Sequence, residues 1–176
     1  SGTDFGNEQN LSWLLQQIAE IDGLERIRFL TSNHNLMTDE LLYMVAQLVK
    51  VCPHIEIPVQ SGNDNVLKNM RRGYICGEYR KLFEKIRNIT PDATINTDII
   101  VGFPDETHDQ FLDTCKLIAD VEFDKIHISK DSTRPKTIAA RKMEDNVSEE
   151  EKKERRNMID EAQHANLERK SKPMLN

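Results

Sequence analysis

Four short apolar runs, separated by stretches of helical periodicity, confine this chain to a parallel α/β fold. The runs are Arg26–Leu30, His54–Val59, Thr94–Val101 and Lys125–Ser129. Each crossover between them is long enough to be right-handed and to lay successive strands parallel. Ile99-Ile100-Val101 is continuously apolar, as expected of a strand covered on both faces. Ahead of the first run, Leu11, Leu14, Leu15 and Ile18 recur at helical spacing until Gly23 breaks the pattern. Thr38 reads as an N-cap with Asp39 and Glu40 in the positive first turn, and Leu41, Leu42, Val45, Leu48 and Val49 as the inward face. A short helix is expected from about Asp64 to Met70. Another is expected on Tyr79, Leu82, Phe83 and Ile86, closed by Pro91. Thr107 and Gln110 form a capping box before Phe111, Cys115 and Ile118. Ser148 and Glu151 form a second box before a long charged helix towards Lys170.

Parallel strands with helices outside can be an open doubly wound sheet or part of a (β/α) barrel. The sequence starts with a helix, as though a strand had preceded it. Both outer strand edges would then be exposed, and pairing with another chain is expected there.

The 176 residues are one domain's worth of chain. A formal net charge of -6 argues against this piece gripping RNA or DNA alone, because backbone binding needs a basic face. No apolar run reaches the length of a membrane span, and Ser1-Gly2-Thr3-Asp4 does not begin a signal peptide. Cys52, Cys76 and Cys115 form no CxxC or CxxxCxxC group, so they define no zinc or iron–sulfur site. Cys115 is expected in the core, Cys52 at a strand entrance and Cys76 in a loop before a helix. Free thiols fit a reducing cytoplasm. His34, His54, His108, His127 and His164 lack metal-ligand spacing and are expected to be structural or exposed.

Ligand chemistry concentrates where the strands end. Gln60-Ser61-Gly62 offers an amide, a hydroxyl and a flexible glycine, suited to a ribose or a carboxylate, although a helix-start turn would use the same residues. Arg72 could clamp a carboxylate, or simply close a short helix before Gly73. Gly102-Phe103-Pro104 leaves a buried strand, and a glycine there lets a ligand approach the backbone. Asp105-Glu106-Thr107 reads as serving the next helix dipole. Asp98 is an acid inside an apolar strand, where a carboxylate needs a partner or a function. Ser132-Thr133-Arg134-Pro135, with Lys130, Lys136, Arg141 and Lys142 around it, is a local basic patch on an acidic chain. The wider charge run from Lys136 to Arg156 reads as a solvated face. No P-loop and no nucleophile–base pair is present.

Taken in order, Pro58-Val59-Gln60-Ser61-Gly62-Asn63-Asp64, Met70-Arg71-Arg72-Gly73-Tyr74, Thr97-Asp98-Ile99-Ile100-Val101-Gly102-Phe103-Pro104 and Ser132-Thr133-Arg134-Pro135 resemble the radical S-adenosylmethionine (SAM) methylthiotransferases. Pro-Val-Gln-Ser-Gly looks more like the tRNA-modifying branch than the ribosomal-protein branch. The resemblance covers nearly the whole chain and implies a partial, TIM-like (β/α) barrel of six units. Residues 1–176 would be a partial core domain holding the last four strands. The cluster-binding CxxxCxxC, an amino-terminal domain and a carboxy-terminal RNA-binding domain would lie outside the chain. It also implies SAM contacts at Gln60 and Ser61 near the ribose and methionyl part, at Arg72 for a carboxylate, at Gly102 and Phe103 near the adenine, and along Ser129 and Lys130; Asp98 joins this candidate set. Asp105, Asp131 and Lys136 stand where the family usually has glycine, an aromatic and glycine.

Family chemistry uses a 4Fe-4S cluster to reduce SAM; the resulting radical abstracts hydrogen from an adenosine of tRNA before sulfur and methyl are added. Without cluster ligands, this chain alone is expected to be inactive. Two other functions fit the same residues: a ribosomal-protein aspartate methylthiotransferase, and a non-catalytic half-barrel interaction module.

Overall fold

The computed structural model describes residues 10–30, 36–132, 143 and 145–171. Helix α1, Leu11–Ala19, is capped by Asn10, whose side chain accepts the Trp13 N–H (3.0 Å). Only part of its expected apolar face is covered: Leu15 is buried, while Leu14 is exposed. Helix α2, Asp39–Gln47, starts at Thr38 as its side-chain cap predicts and buries Leu41, Leu42 and Val45. It ends before Val49, which is fully exposed rather than inward.

Strand β1, His54–Glu56, is followed by α3, Asp64–Asn69, and α4, Cys76–Ile89. Strand β2 is Thr94–Val101, α5 is His108–Val121, β3 is Lys125–Lys130 and α6 is Glu149–Ser171. The Thr107–Gln110 box closes in both directions at the start of α5. At α6 the Ser148 hydroxyl accepts the Glu151 N–H (3.1 Å), but the Glu151 carboxylate turns to Arg155 instead of back to the cap.

The strands form one parallel sheet in the order β1-β2-β3, with Ile55 opposite Ile95 and Ile99 opposite Ile128. The expected first strand is not a full strand among the described residues. Ile27 makes a single parallel bridge to Val51: its N–H donates to Lys50 O (2.7 Å) and its carbonyl accepts from Cys52 N–H (2.9 Å). Ile27 and Phe29 are buried, while Leu30 is exposed.

Alternation along the strands sorts the two faces. Ile55, Ile95, Thr97, Ile99 and Val101 are sealed beneath the helices together with Tyr79, Phe111, Leu117, Ile118 and Ile159. The opposite face carries Glu56, Asn96, Asp98, Ile100, His127 and Ser129, and Ile100 is only half-buried, so the apolar run Ile99-Ile100-Val101 is not sealed on both faces as expected. The outer edge of β3 is partly occupied. Ile126 N–H donates to Gln163 Oε1 (2.8 Å), while Asn166 and Lys170 of α6 donate to the Phe123 and Glu122 carbonyls just before the strand.

Candidate functional site at the strand ends

Because the strands are parallel and adjacent, the segments leaving β1, β2 and β3 open onto one rim. Gln60 bridges Ile99, and Val101 pairs with Lys130, so Gln60, Gly102 and Lys130 stand at neighbouring strand ends. The register explains how Gln60 gets there. His54–Glu56 pairs with Thr94–Asn96, yet Gln60 pairs with Ile99, so one extra residue is accommodated between them. Gln60 is left at φ 70, a left-handed conformation that a non-glycine residue adopts only where its surroundings enforce it. Its N–H donates to Asp98 O (2.8 Å) and its carbonyl accepts from Ile100 N–H (3.0 Å).

Three side chains that sequence reasoning assigned to core or left aside hold this irregular segment. Thr97 Oγ1 donates to Ile57 O (2.8 Å) and accepts the Val59 N–H (3.0 Å). The Tyr79 hydroxyl also donates to Ile57 O (2.8 Å), and the Tyr74 hydroxyl lies within bonding distance of both Pro58 O (3.1 Å) and Val59 O (3.0 Å). Burial pushes both phenols up, so they stay protonated donors. The signal for them is a proline and a polar pair interrupting an apolar strand: backbone groups that leave a ladder inside a core need partners.

Ser61 faces inward. It is fully buried, its hydroxyl lies 3.4 Å from Thr114 Oγ1, and it accepts the Asn63 N–H (3.2 Å). Gly62 is required by packing, since a Cβ there would sit 2.5 Å from Thr114 Cα. Asn63 caps α3, and Asp64 accepts the Cys76 N–H (2.7 Å), so Cys76 opens α4 instead of lying in a loop. Gly102, at φ 72, is covered: its Cβ position would be 2.3 Å from Lys152 Cγ, so the space above it is taken by the protein's own chain. Phe103 is buried. Ser129 and Lys130 are exposed, and Lys130 Nζ pairs with Glu149 (2.7 Å). Ser132 is exposed, while Thr133, Arg134, Pro135, Lys136, Arg141 and Lys142 lie outside the described residues.

Asp105 occupies φ 65, which accounts for the glycine usual in the resembling family. Aspartate tolerates this conformation, and here it exchanges two bonds with Asn146 (2.9 and 2.8 Å). Glu106 does not serve the helix dipole as expected. It is buried against Arg155 (2.6 Å) and accepts the Gly102 N–H (2.7 Å). Lys152 and Arg155 are likewise buried, so the end of the long charge run is not a solvated face.

The electrostatics of the polar sheet face are unbalanced. Burial raises the Asp98 carboxyl and nearby Glu56 raises it further, against the opposing pull of His127 and Arg72. Among the described residues Arg72 Nε and Asn96 Oδ1 are buried without a hydrogen-bond partner, as is Arg155 Nε beneath α6. A cationic donor and a neutral acceptor left open beside a half-buried carboxylate fit a ligand carrying its own carboxylate and hydrogen-bond donors. SAM, with a carboxylate, an ammonium and ribose hydroxyls, has that donor and acceptor set. The cysteines do not fit an iron–sulfur cluster. Burial and Asp64 push the Cys76 thiol up to about 12, burial raises Cys115, and among the described residues no group of His, Cys, Asp or Glu could hold a metal ion.

A parallel β/α sheet defines an α/β protein, a class whose ligand sites lie at the carboxyl ends of the strands. Residues 6–118 match the radical SAM superfamily, and the chain belongs to that superfamily. It is 45% identical over 162 residues to a tRNA-2-methylthio-N(6)-dimethylallyladenosine synthase from Dehalococcoides mccartyi strain CBDB1, covering 92% of this chain and 39% of the relative. Proteins of the same name from Roseiflexus sp. strain RS-1 and Chloroflexus aurantiacus are 48% and 44% identical over 79% and 92% of the chain, and over 29% and 35% of their own lengths. The chain therefore spans well under half of the curated relatives it matches. The methylthiotransferase resemblance read from the four motifs is borne out. No described helix is long and apolar enough to cross a membrane.

Proposed function

We propose that residues 1–176 form the SAM-cradling part of a cytoplasmic tRNA methylthiotransferase, which adds a methylthio group to an adenosine of tRNA. The names of its relatives support the tRNA branch over a ribosomal-protein substrate or a non-catalytic module. The sequential strand order, extended by the Ile27–Val51 bridge, supports a singly wound barrel segment over a doubly wound sheet, whose order would reverse. Capping by Gln163 opposes self-association along β3.

The observation that carries this proposal is Arg72 Nε, buried and unpaired among the described residues, on a side chain near enough to Asp98 to pull its carboxyl down. In this reading Arg72 receives the SAM carboxylate, and Asn96 and Asp98 accept its donors. Gln60 presents its amide, while Ser61 and Gly62 fix the loop from behind. When bound, SAM supplies a radical source and a methyl group; these residues orient it and exclude water. Cluster ligands would come from outside this chain, so the chain alone carries no turnover.

The test is SAM binding by calorimetry in the intact protein, with mass spectrometry of nucleosides from tRNA it has modified. Arg72→Ala is expected to weaken SAM binding by about tenfold or more. Unchanged affinity would overturn the cradle, and tRNA without methylthioadenosine would overturn the substrate.

A further inference from the structure

Helix α6 lies beyond the superfamily match, yet its buried charges converge on one loop of the rim. Arg155 and Glu106 have side chains only 3% and 1% exposed. Arg155 Nη1 donates to Glu106 Oε2 (2.6 Å), and both terminal nitrogens reach the Glu106 carbonyl (3.1 Å each). Glu106 Oε2 also accepts the Gly102 N–H (2.7 Å). One turn earlier in α6, the Lys152 stem fills the space above Gly102, while its Nζ is held by Asp145 (2.6 Å).

Burying charges is an uneconomical way to dock a helix. A hydrophobic replacement of similar volume is often as stabilising, and α6 already carries such an anchor in fully buried Ile159. What the charges add is direction. The Glu106 carboxylate fixes the amide of Gly102, and the Lys152 stem fills the space a side chain at that residue would occupy. The geometry points to Arg155 and Lys152 as positioning residues. Arg155 acts through Glu106 and Lys152 by direct packing on Gly102 to set the Gly102-Phe103 segment, which leaves β2 beside the proposed SAM site, so α6 determines cofactor affinity without touching the cofactor. This inference rests on the proposed SAM site.

The experiment titrates the intact protein with S-adenosylhomocysteine by calorimetry, reading affinity and stoichiometry separately, with tRNA affinity as control. Arg155→Met and Glu106→Gln are each expected to weaken cofactor binding by about tenfold at full stoichiometry, leaving tRNA affinity unchanged. Hydrogen exchange at the Gly102 amide should accelerate in both. Arg155→Lys, which keeps the charge but not the forked contact, should fall between the variants and the parent. A merely structural role predicts lowered stoichiometry with unaltered affinity in the folded fraction, and that result overturns the inference. If Arg155→Met does not fold, the same criteria are read from Glu106→Gln, where the buried arginine keeps a neutral acceptor. No binding by the unmodified protein would remove the SAM site and this inference together, whereas binding unaffected by either variant removes this inference alone.

Discussion

The segment Ile57–Gln60 leaves its ladder inside the core, and its stability should depend on how many donors each freed carbonyl retains. Ile57 O has two side-chain donors, Thr97 and Tyr79, each at 2.8 Å. Tyr79→Phe removes one and leaves the carbonyl satisfied, so the cost is that of one net hydrogen bond, about 1 kcal/mol. Thr97→Val removes the other and also orphans the Val59 N–H, which it holds at 3.0 Å in a fully buried position; the cost rises to about 2–3 kcal/mol. With both changes Ile57 O has neither donor. The pair should therefore cost more than the sum of its parts, by about 1–2 kcal/mol for the newly unsatisfied carbonyl. Urea denaturation of the purified protein and its three variants measures this cycle. Additivity within about 0.4 kcal/mol would show that the two hydroxyls do not share the carbonyl and would refute the account of the segment.

Replacing Asp98 by Asn should raise stability at neutral pH. Its carboxyl is raised in the folded state, so its contribution is most favourable below the ordinary carboxylate pKa and is lost as pH rises through the folded value; the gain over the parent should vanish in melts below about pH 4. Gln60→Gly relieves the left-handed backbone and should stabilise by up to about 1 kcal/mol in denaturant titrations, while weakening SAM binding. Gly62→Ala forces a methyl to 2.5 Å from Thr114 Cα and 2.6 Å from Asp113 O, both backbone, and should cost more than about 2 kcal/mol. Gly73→Ala, with nothing within 4 Å of the new methyl, should stay within about 0.5 kcal/mol in the same assay.

Periodicity identified the elements whose neighbours are local. Thr94–Val101 is found as a strand from end to end, and Thr107 caps α5. It failed where a partner far along the chain decides the outcome. Arg26–Leu30 alternates like a strand, yet pairing stops after one bridge because alternation reports which face is buried and not whether a neighbouring backbone is present. Glu106 looked like a helix-dipole acid because its actual partner, Arg155, is 49 residues away in a stretch that looked solvated. Gly102 was singled out as a place where a ligand could approach the backbone; in the structure its missing side chain makes room for Lys152. The strand-end candidates do converge on one rim, since parallel topology alone guarantees that. Which of them turn inward, as Ser61 does toward Thr114, depends on helix contacts that no local pattern encodes.

The polar face of the sheet carries unmet hydrogen-bonding groups close to the proposed ligand site; beneath α6, Arg155 Nε is also buried without a partner among the described residues. On the helix side, the irregular segment before Gln60 has its backbone groups met by Thr97, Tyr74 and Tyr79, and Gly62 has its N–H met by Thr114. On the other side, a carboxylate is raised by burial, while an amide oxygen and a guanidinium nitrogen are buried without partners among the described residues. Each such feature opposes folding. A chain that supplies a hydroxyl for each stray carbonyl of one loop could have placed apolar residues at Asn96 and Asp98 and gained stability. Their retention beside Arg72, next to a glutamine held at φ 70, is what a surface has when its missing hydrogen bonds arrive with a ligand. A ligand that satisfies Arg72 and Asn96 should therefore raise the melting temperature of the intact protein, and should raise that of an Asp98→Asn variant less, because part of the unmet demand has already been removed.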